Sequence, residues 1–338
     1  MRCNSFDWDW NIAVFCRNEA AYIGACIGNI AKAVAGHRAM VTVVVNGSSD
    51  ESANLAHEAA RIHGIDCVVY GIAFGDKANA INQFMYRIRA DARLYFFVDG
   101  YTRVSATAFC AMDACLTDRP DVVAATGVAA NGRTMRLATP ATLASGGRLH
   151  GQLHGLRRDF IDRLVGRGIR LPIGLYYGDG LVGSMAMHDL DPLAIEWNTH
   201  RIAGLADATY EIPTLSLFRP RDLRRQFNRK IRQMRGRLEN AAIRDIIYKS
   251  GYEGLPEYSD DMIEAFLAEH GDPRVPWADR PFMALAKRQI HGSARPDPQR
   301  LVASRLFAPP PAADQTGVFR QPGTPAGTPA PGMPPATD

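Results

Sequence analysis

The sequence has 338 residues, 46% of them hydrophobic, and a formal net charge of +4 at pH 7. That is apolar material for a core over most of the chain, as one large domain or two modest ones. No apolar run reaches the roughly 18 residues that a spanning helix needs, so no segment is expected to cross a membrane. Six cysteines (Cys3, Cys16, Cys26, Cys67, Cys110 and Cys115) include no C-x-x-C pair. With no signal-peptide pattern, they read as reduced thiols of a cytoplasmic protein.

Along the first 125 or so residues, strands and helices are expected to alternate. Asn11 to Phe15 reads as a strand, and Ile23, Ile27, Ile30 and Val34 then recur at helical spacing. Val41 to Val45 is β-branched and unbroken, the mark of a strand buried on both faces. Ser48 and Glu51 have capping-box spacing before a helix whose apolar positions are Leu55, Ala59 and Ile62. Cys67 to Tyr70 is the next strand. Lys77 to Ala90 is a helix with Ala78, Ile81, Met85 and Ile88 inward. Leu94 to Val98 and Val122 to Ala125 are further strands. This alternation predicts an α/β fold, a mostly parallel sheet with helices on both faces. Ligands of such sheets sit at the carboxyl ends of the strands.

Gly127 to Leu171 is richer in Gly, Arg and Thr, and Ala141 to Gly147 reads as a mobile loop. A basic stretch follows. Arg219 to Arg244 carries ten Arg or Lys against Asp222 and Glu239. Such a block either faces phosphate, anionic lipid or nucleic acid, or is a solvated helix face. Helices are expected at Ser259 to His270 and Pro281 to His291. Beyond Ala308 the chain is Pro, Ala, Gly and Thr, a composition that cannot offset its chain entropy and predicts disorder. The expected units are therefore 1–215, a basic helical extension over 216–307, and a tail over 308–338.

The loops after the strands carry the chemistry-bearing residues. Asn18-Glu19 after the first strand offers an amide and a carboxylate, as ligand groups or as a helix cap. Asn46-Gly47-Ser48-Ser49-Asp50 after the second combines a Gly-permitted turn with polar side chains. Asp99, at the end of a buried strand, needs a partner or a metal to hold its charge. His154, His188 and His200 are each either a further metal ligand or an ordinary hydrogen-bonding histidine.

Taken together, these segments resemble glycosyltransferase family 2. The order matches over Asn11 to Val104: a strand with an N-E loop, a strand with a D-G-S-x-D-like turn, then Lys77-Ala78-Asn79-Ala80-Ile81-Asn82 on a helix. A hydrophobic strand then ends at the D-x-D position. A weaker likeness runs on to about Gly236, through Leu153 to Asp159 and Tyr177-Gly178-Asp179-Gly180. The resemblance implies a GT-A fold. It places Glu19, Asn46 and Asp50 at the nucleoside, with Lys77 and Asn82 near the same cleft. Asp99 falls at the first acid of the metal motif, for Mg2+ or Mn2+, and Asp179 at the catalytic base. Arg232 falls in the region that faces the diphosphate, in one of two registers; the other uses Gln226 and Arg229. Three departures stand out: Asn46 replaces an Asp, Tyr101 replaces the second metal acid, and Gly178 replaces the Glu before the base. The family's strict Q-x-x-R-W pattern, which marks processive synthases, is also eroded here.

The implied activity is inverting transfer of a sugar from a nucleotide-sugar donor, UDP-linked, to a saccharide or lipid-linked hydroxyl acceptor. Peripheral contact with an anionic membrane face would suit the basic stretch. Two rivals remain: a degenerate domain that binds nucleotide or a partner without catalysis, and a nucleic-acid binder. Only Phe227 interleaves the Arg block with an aromatic, so no nucleic-acid partner is expected.

Overall fold

A computed structural model describes residues 6–131, 146–213, 220–291 and 294–308. The expected loop from Ala141 falls outside these residues as far as Ser145, and so does the expected tail beyond Ala308.

Four apolar runs form the parallel heart of a sheet: β1 (Trp8–Cys16), β2 (Ala39–Asn46), β3 (Cys67–Ile72) and β4 (Ala92–Asp99), side by side as β4-β1-β2-β3. Every residue of β2 is buried, because strands flank it and helices cover both faces. The register sets Phe15 beside Asp99 and Cys16 beside Val45. Cys16, Asn46 and Asp99 therefore finish at one edge of the sheet. Five further strands complete it: β5 (Arg103–Val104), β6 (Ala124–Ala129), β7 (Leu153–Arg157), β8 (Ile202–Glu211) and β9 (Ser304–Phe307). The order is β5-β8-β6-β7-β4-β1-β2-β3-β9. β7 runs antiparallel to β4, with Val98 opposite Leu153. The start of β7 thus meets the end of β4, where the Asp99 amide donates to the Gln152 carbonyl at 3.3 Å.

The strand period of two divides the core. Trp10, Ile12, Val14 and Cys16 face α1 (Ile23–Ala33) and α2 (Ser52–His63). Ala13 and Phe15 face the opposite layer, which includes α3 (Lys77–Gln83). Next in the chain, α4 (Ala108–Asp118) joins the first layer, while α5 (Arg158–Gly166) and α6 (Gly178–Met187) join the second. The long α7 (Pro220–Ser250) adds Ala242, Ile243 and Ile247 to that second layer. Its earlier residues Ile231, Met234 and Leu238 make a separate small core with α8 (Ser259–His270) and α9 (Arg280–His291). No helix among the described residues is long and apolar enough to cross a membrane.

Four details differ from the sequence reading. The Ser48/Glu51 capping box does not form: Ser48 Oγ instead accepts from the Asn18 amide, and Asp50 caps the Ser52 amide at 3.1 Å. α2 buries Ala56 and Ala60 and leaves Leu55 and Ile62 in solvent, because α1 and α2 pack closely and small residues permit the approach. The helix from Lys77 changes after Gln83 into a π-turn, Phe84–Ile88. Finally, the extension does not end apart from the first unit. Ser304–Phe307 returns as an edge strand antiparallel to β3. On the way back, the Arg300 carbonyl accepts from Phe74 N, the Leu301 carbonyl accepts from Asn79, and Ala303 N donates to Gln83.

The returning segment therefore holds both the sheet edge and α3. Removing residues 297–308 should lower Tm by at least about 5 °C, given roughly 1 kcal/mol for each buried hydrogen bond lost. Calorimetry checks this; an unchanged Tm would mean that the segment is a passenger on the sheet.

Candidate active site

A cleft of about 1210 Å³ opens at the carboxyl edge of β1, β2 and β4. At its floor the Lys77 ammonium lies between two carboxylates, 2.7 Å from Asp99 Oδ1 and 3.1 Å from Asp179 Oδ2. Three elements bring them together. Asp99 ends β4. Lys77 opens α3, whose N-cap Asp76 accepts from the Asn79 amide at 2.6 Å. Asp179 sits in the first turn of α6, where the helix N-terminus favours a carboxylate. The start of β7 closes in beside them at Gly151. A Cβ there would overlap Asp179 Oδ2, so the glycine is required for the approach.

The charges settle unequally. Burial pushes Asp99 up, and Asp179 adds to it, while Lys77 pulls the other way; the net shift is upward. Burial would raise Asp179 too, but Lys77 and then His154 outweigh it and hold the group below the usual carboxylate range. Burial alone would lower Lys77; Asp179 and Asp99 reverse this and keep it firmly protonated. Asp99 Oδ2 accepts from the Tyr101 hydroxyl at 2.8 Å. Asp179 Oδ1 is buried and has no hydrogen-bond partner among the described residues.

The residues singled out from sequence divide into two groups. Glu19, Asn46, Lys77, Asp99, Asp179 and Arg232 line the cleft. Asp50 and Asn82 are not among its lining residues, and both are occupied elsewhere. The Asp50 carboxylate accepts from the Ala20 amide and from Ser52, so it laces the first two loops together. Asn82 is buried and exchanges hydrogen bonds with the Leu171 backbone at 2.8 and 3.0 Å. Asn46 donates to the Cys16 carbonyl at 3.1 Å while forming part of the wall. The tight turn after it depends on Gly47 at φ 64°, where a side chain would run into Gly75.

The basic block does not act as one face. Arg232 reaches the cleft, 5.5 Å above the Tyr176 ring, with no ion pair among the described residues. Lys230 and Arg237 pair with Asp279. Arg235 is turned inward to Glu239, Asp260 and the Gly174 carbonyl. Glu239, fully buried, accepts from the Tyr176 and Tyr177 amides just ahead of α6. Asp76 takes the Gly174 amide at 2.8 Å from the other side. The loop that delivers Asp179 is thus clamped between α3 and α7. Sequence reasoning missed this clamp, although Arg235 and Glu239 stand at i and i+4 on one helix face. Gly151 and the cleft-lining Arg17 and Arg148 carried no signal that would have marked them.

Among the histidines, His154 lies flat on Phe97, ring centres 4.8 Å apart, and its Nδ1 donates to the His150 carbonyl at 3.0 Å. His188 is bonded to Tyr252, and His200 lies in a short 3-10 turn, Thr199–Arg201. Neither lines the cleft. For a metal, the hard oxygens of Asp99 and Asp179 suit Mg2+ or Mn2+, and the unpartnered Asp179 Oδ1 is an available donor. The Lys77 ammonium already holds positive charge there and would compete with an ion.

No protein-family profile matches the chain, and no curated protein does. Among solved structures it is similar to a mannosyltransferase from Pyrobaculum calidifontis in complex with GDP-Man and Mn2+. That alignment has 17% identity and a TM-score of 0.55, and covers 86% of this chain and 77% of the other. S. aureus TarS follows, with 16% identity, 83% and 80% coverage and a TM-score of 0.49. Glucosyl-3-phosphoglycerate synthase from Mycobacterium tuberculosis gives 15% identity, 74% and 81% coverage and a TM-score of 0.48. The fold is the GT-A type of the mannosyltransferase.

Burial pushes the His154 imidazole down from 6.5 to about 4. As pH falls through this window the unfolded chain takes up the proton first, so stability present above pH 6.5 is lost toward pH 4. The loss amounts to about 3 kcal/mol. Thermal melts across that range should show the decline, and His154→Gln should flatten it. An unchanged slope in the variant would detach His154 from the acid sensitivity.

Proposed function

We propose that the protein is an inverting glycosyltransferase that moves a sugar from a nucleoside diphosphate sugar, UDP-linked, to an acceptor hydroxyl. The observation that carries this reading is the Asp99–Lys77–Asp179 cluster, with its ionised and half-unpartnered Asp179, on the floor of a cleft at the strand ends. Glu19 and Asn46 stand on the wall made by the first two loops, which suits a nucleoside. Arg17, Arg148 and Arg232 supply positive charge around the same space, which suits a diphosphate.

The Asp179 carboxylate takes the acceptor's proton as the acceptor oxygen bonds to the anomeric carbon. The bond from that carbon to the diphosphate oxygen breaks, and the leaving group keeps the electron pair. Lys77 and Arg232 hold charge where the diphosphate develops it. Lys77 also keeps Asp179 ionised before the proton arrives. A divalent ion on Asp99, when bound, would offset the same negative charge. With Arg232 as the Arg of the Q-x-x-R-W pattern, Arg229 stands in place of its Gln and Gln233 in place of its Trp, which supports a single transfer per encounter.

A second reading has one observation in its favour. The Tyr101 hydroxyl closes Asp99 Oδ2, where the family resemblance calls for a second acid. On that reading the cleft binds nucleotide without turnover. Slow hydrolysis of a UDP-sugar by purified protein separates the two.

UDP titrated calorimetrically should bind, and Asn46→Ala should weaken it; equal affinities would remove Asn46 from the site. Donor affinity and turnover measured together separate Asp99 from Asp179. Asp99→Asn should lower both. Asp179→Asn should spare donor affinity and cut turnover by about 10²–10⁴-fold, the range of a general base. Retention of more than about a tenth of the turnover would exclude Asp179 as that base. Mn2+ should bind weakly to the protein alone and more tightly with UDP present, since the diphosphate supplies oxygens that Tyr101 does not.

A further inference from the structure

A second hollow, about 560 Å³, leads off the cleft. The two share Gly180 and Asn240, so it begins one residue from Asp179. It runs between α6 and α7. From α7 it takes Asn240, Ile243, Arg244, Ile247 and Tyr248, a stripe at helical spacing that extends about 12 Å at 1.5 Å per residue. Leu181, Ile243 and Ile247, all buried, make an aliphatic floor. Trp197 and Tyr248 stand as walls, and both are 51% exposed. His188 contacts both rings edge-on, at 5.1 and 5.8 Å, and so fixes the walls.

The polar atoms near this groove are spent on one another. His188 Nδ1 is 2.8 Å from the Tyr252 hydroxyl, which is 2.8 Å from Ser184 Oγ. His188 Nε2 faces the Tyr248 hydroxyl at 3.4 Å. A saccharide laid in the groove would find few donors or acceptors beyond Asn240 at the mouth and Arg244 along the side. Burying hydroxyls without partners is costly, whereas burying methylenes is favourable. The Arg244 stem can itself lie along an apolar chain with its charge in water.

We propose that this groove receives an extended hydrocarbon chain attached to the acceptor, so that the acceptor's hydroxyl rests at Asp179 while its apolar tail lies between α6 and α7. The assignment to an acceptor rests on the transferase reading above. It narrows that reading to amphiphilic acceptors, with the chain length sensed by the distance from Asn240 to Tyr248.

The probes are n-alkyl glucosides from methyl to decyl, below their micelle concentrations, titrated calorimetrically into the whole protein. Affinity should rise about fourfold per added methylene while the groove fills, then level off. Trp197→Ala and, independently, Tyr248→Ala should each weaken octyl glucoside about tenfold and leave UDP affinity and Tm unchanged. Both side chains are half exposed, so neither change empties the core. Affinity independent of chain length would overturn the proposal, as would a chain-length effect that both variants leave intact. Tighter binding of maltotriose than of octyl glucoside would replace the hydrocarbon with a saccharide. UDP titration reads the cleft separately. Loss of UDP binding with the chain-length effect intact would overturn the transferase reading, and with it the groove's assignment to an acceptor.

Discussion

One ammonium between two carboxylates is the constraint that the site is built around. Asp99 and Asp179 stand within reach of a single nitrogen at a poorly solvated sheet edge, where two like charges would repel. Lys77 makes the pair tolerable, and the neighbouring architecture serves to keep it in place. Asp76 caps the helix that presents Lys77. Gly151 leaves the space that Asp179 occupies. The antiparallel entry of β7 beside β4 puts that glycine at the right end of the sheet. The cost of the arrangement shows in the upward shift of Asp99, the carboxylate with less compensation for its burial.

Asp179 is held from outside the sheet as well. α7 sends Glu239 into the core to take the two amides before α6, and Arg235 neutralises it at 2.9 Å. This buried pair stabilises little by itself, because desolvation opposes its attraction. Its effect is positional. The loop before α6 has few conformations left once Asp76, Glu239 and Arg235 have taken Gly174, Tyr176 and Tyr177. The same helix then offers Arg232 to the cleft and its Asn240–Tyr248 stripe to the adjoining groove. On the proposed mechanism Asp179 must be placed to a fraction of an ångström, and a helix of this length can brace it.

Much of the fold was legible because strands and helices declare themselves by period. Val41 to Val45, β-branched throughout, and Leu94 to Val98, apolar and aromatic, fit best inside a sheet. The strand ends then located the cleft residues by a topological rule that owes nothing to their identity. What failed was anything set by contact between elements. Leu55 and Ile62 looked like a core face, but the approach of α1 to α2 favoured Ala56 and Ala60. Asp50 and Asn82 carry side chains that suit a ligand as well as a backbone, and the backbone took them. The Arg block read as one surface, yet among the described residues Arg232 and Arg237 line the cleft, Arg235 is a buried brace, and Lys230 joins Arg237 on Asp279. β9 is four residues long and has no pattern to read before its partner is known.

The late return of β9 also bears on how the protein is made. The Asn79 side chain reaches the Leu301 carbonyl across 222 residues. At about 5–20 residues per second, a ribosome needs on the order of 10–45 s to supply that partner. Through that interval β3 is the open edge of a sheet that is still gaining strands on its other side. An unpaired edge is the part of a nascent sheet most apt to join a neighbouring chain. β9 thus acts as a latch: it closes the β3 edge, and the segment just before it fastens the helix that opens with Lys77.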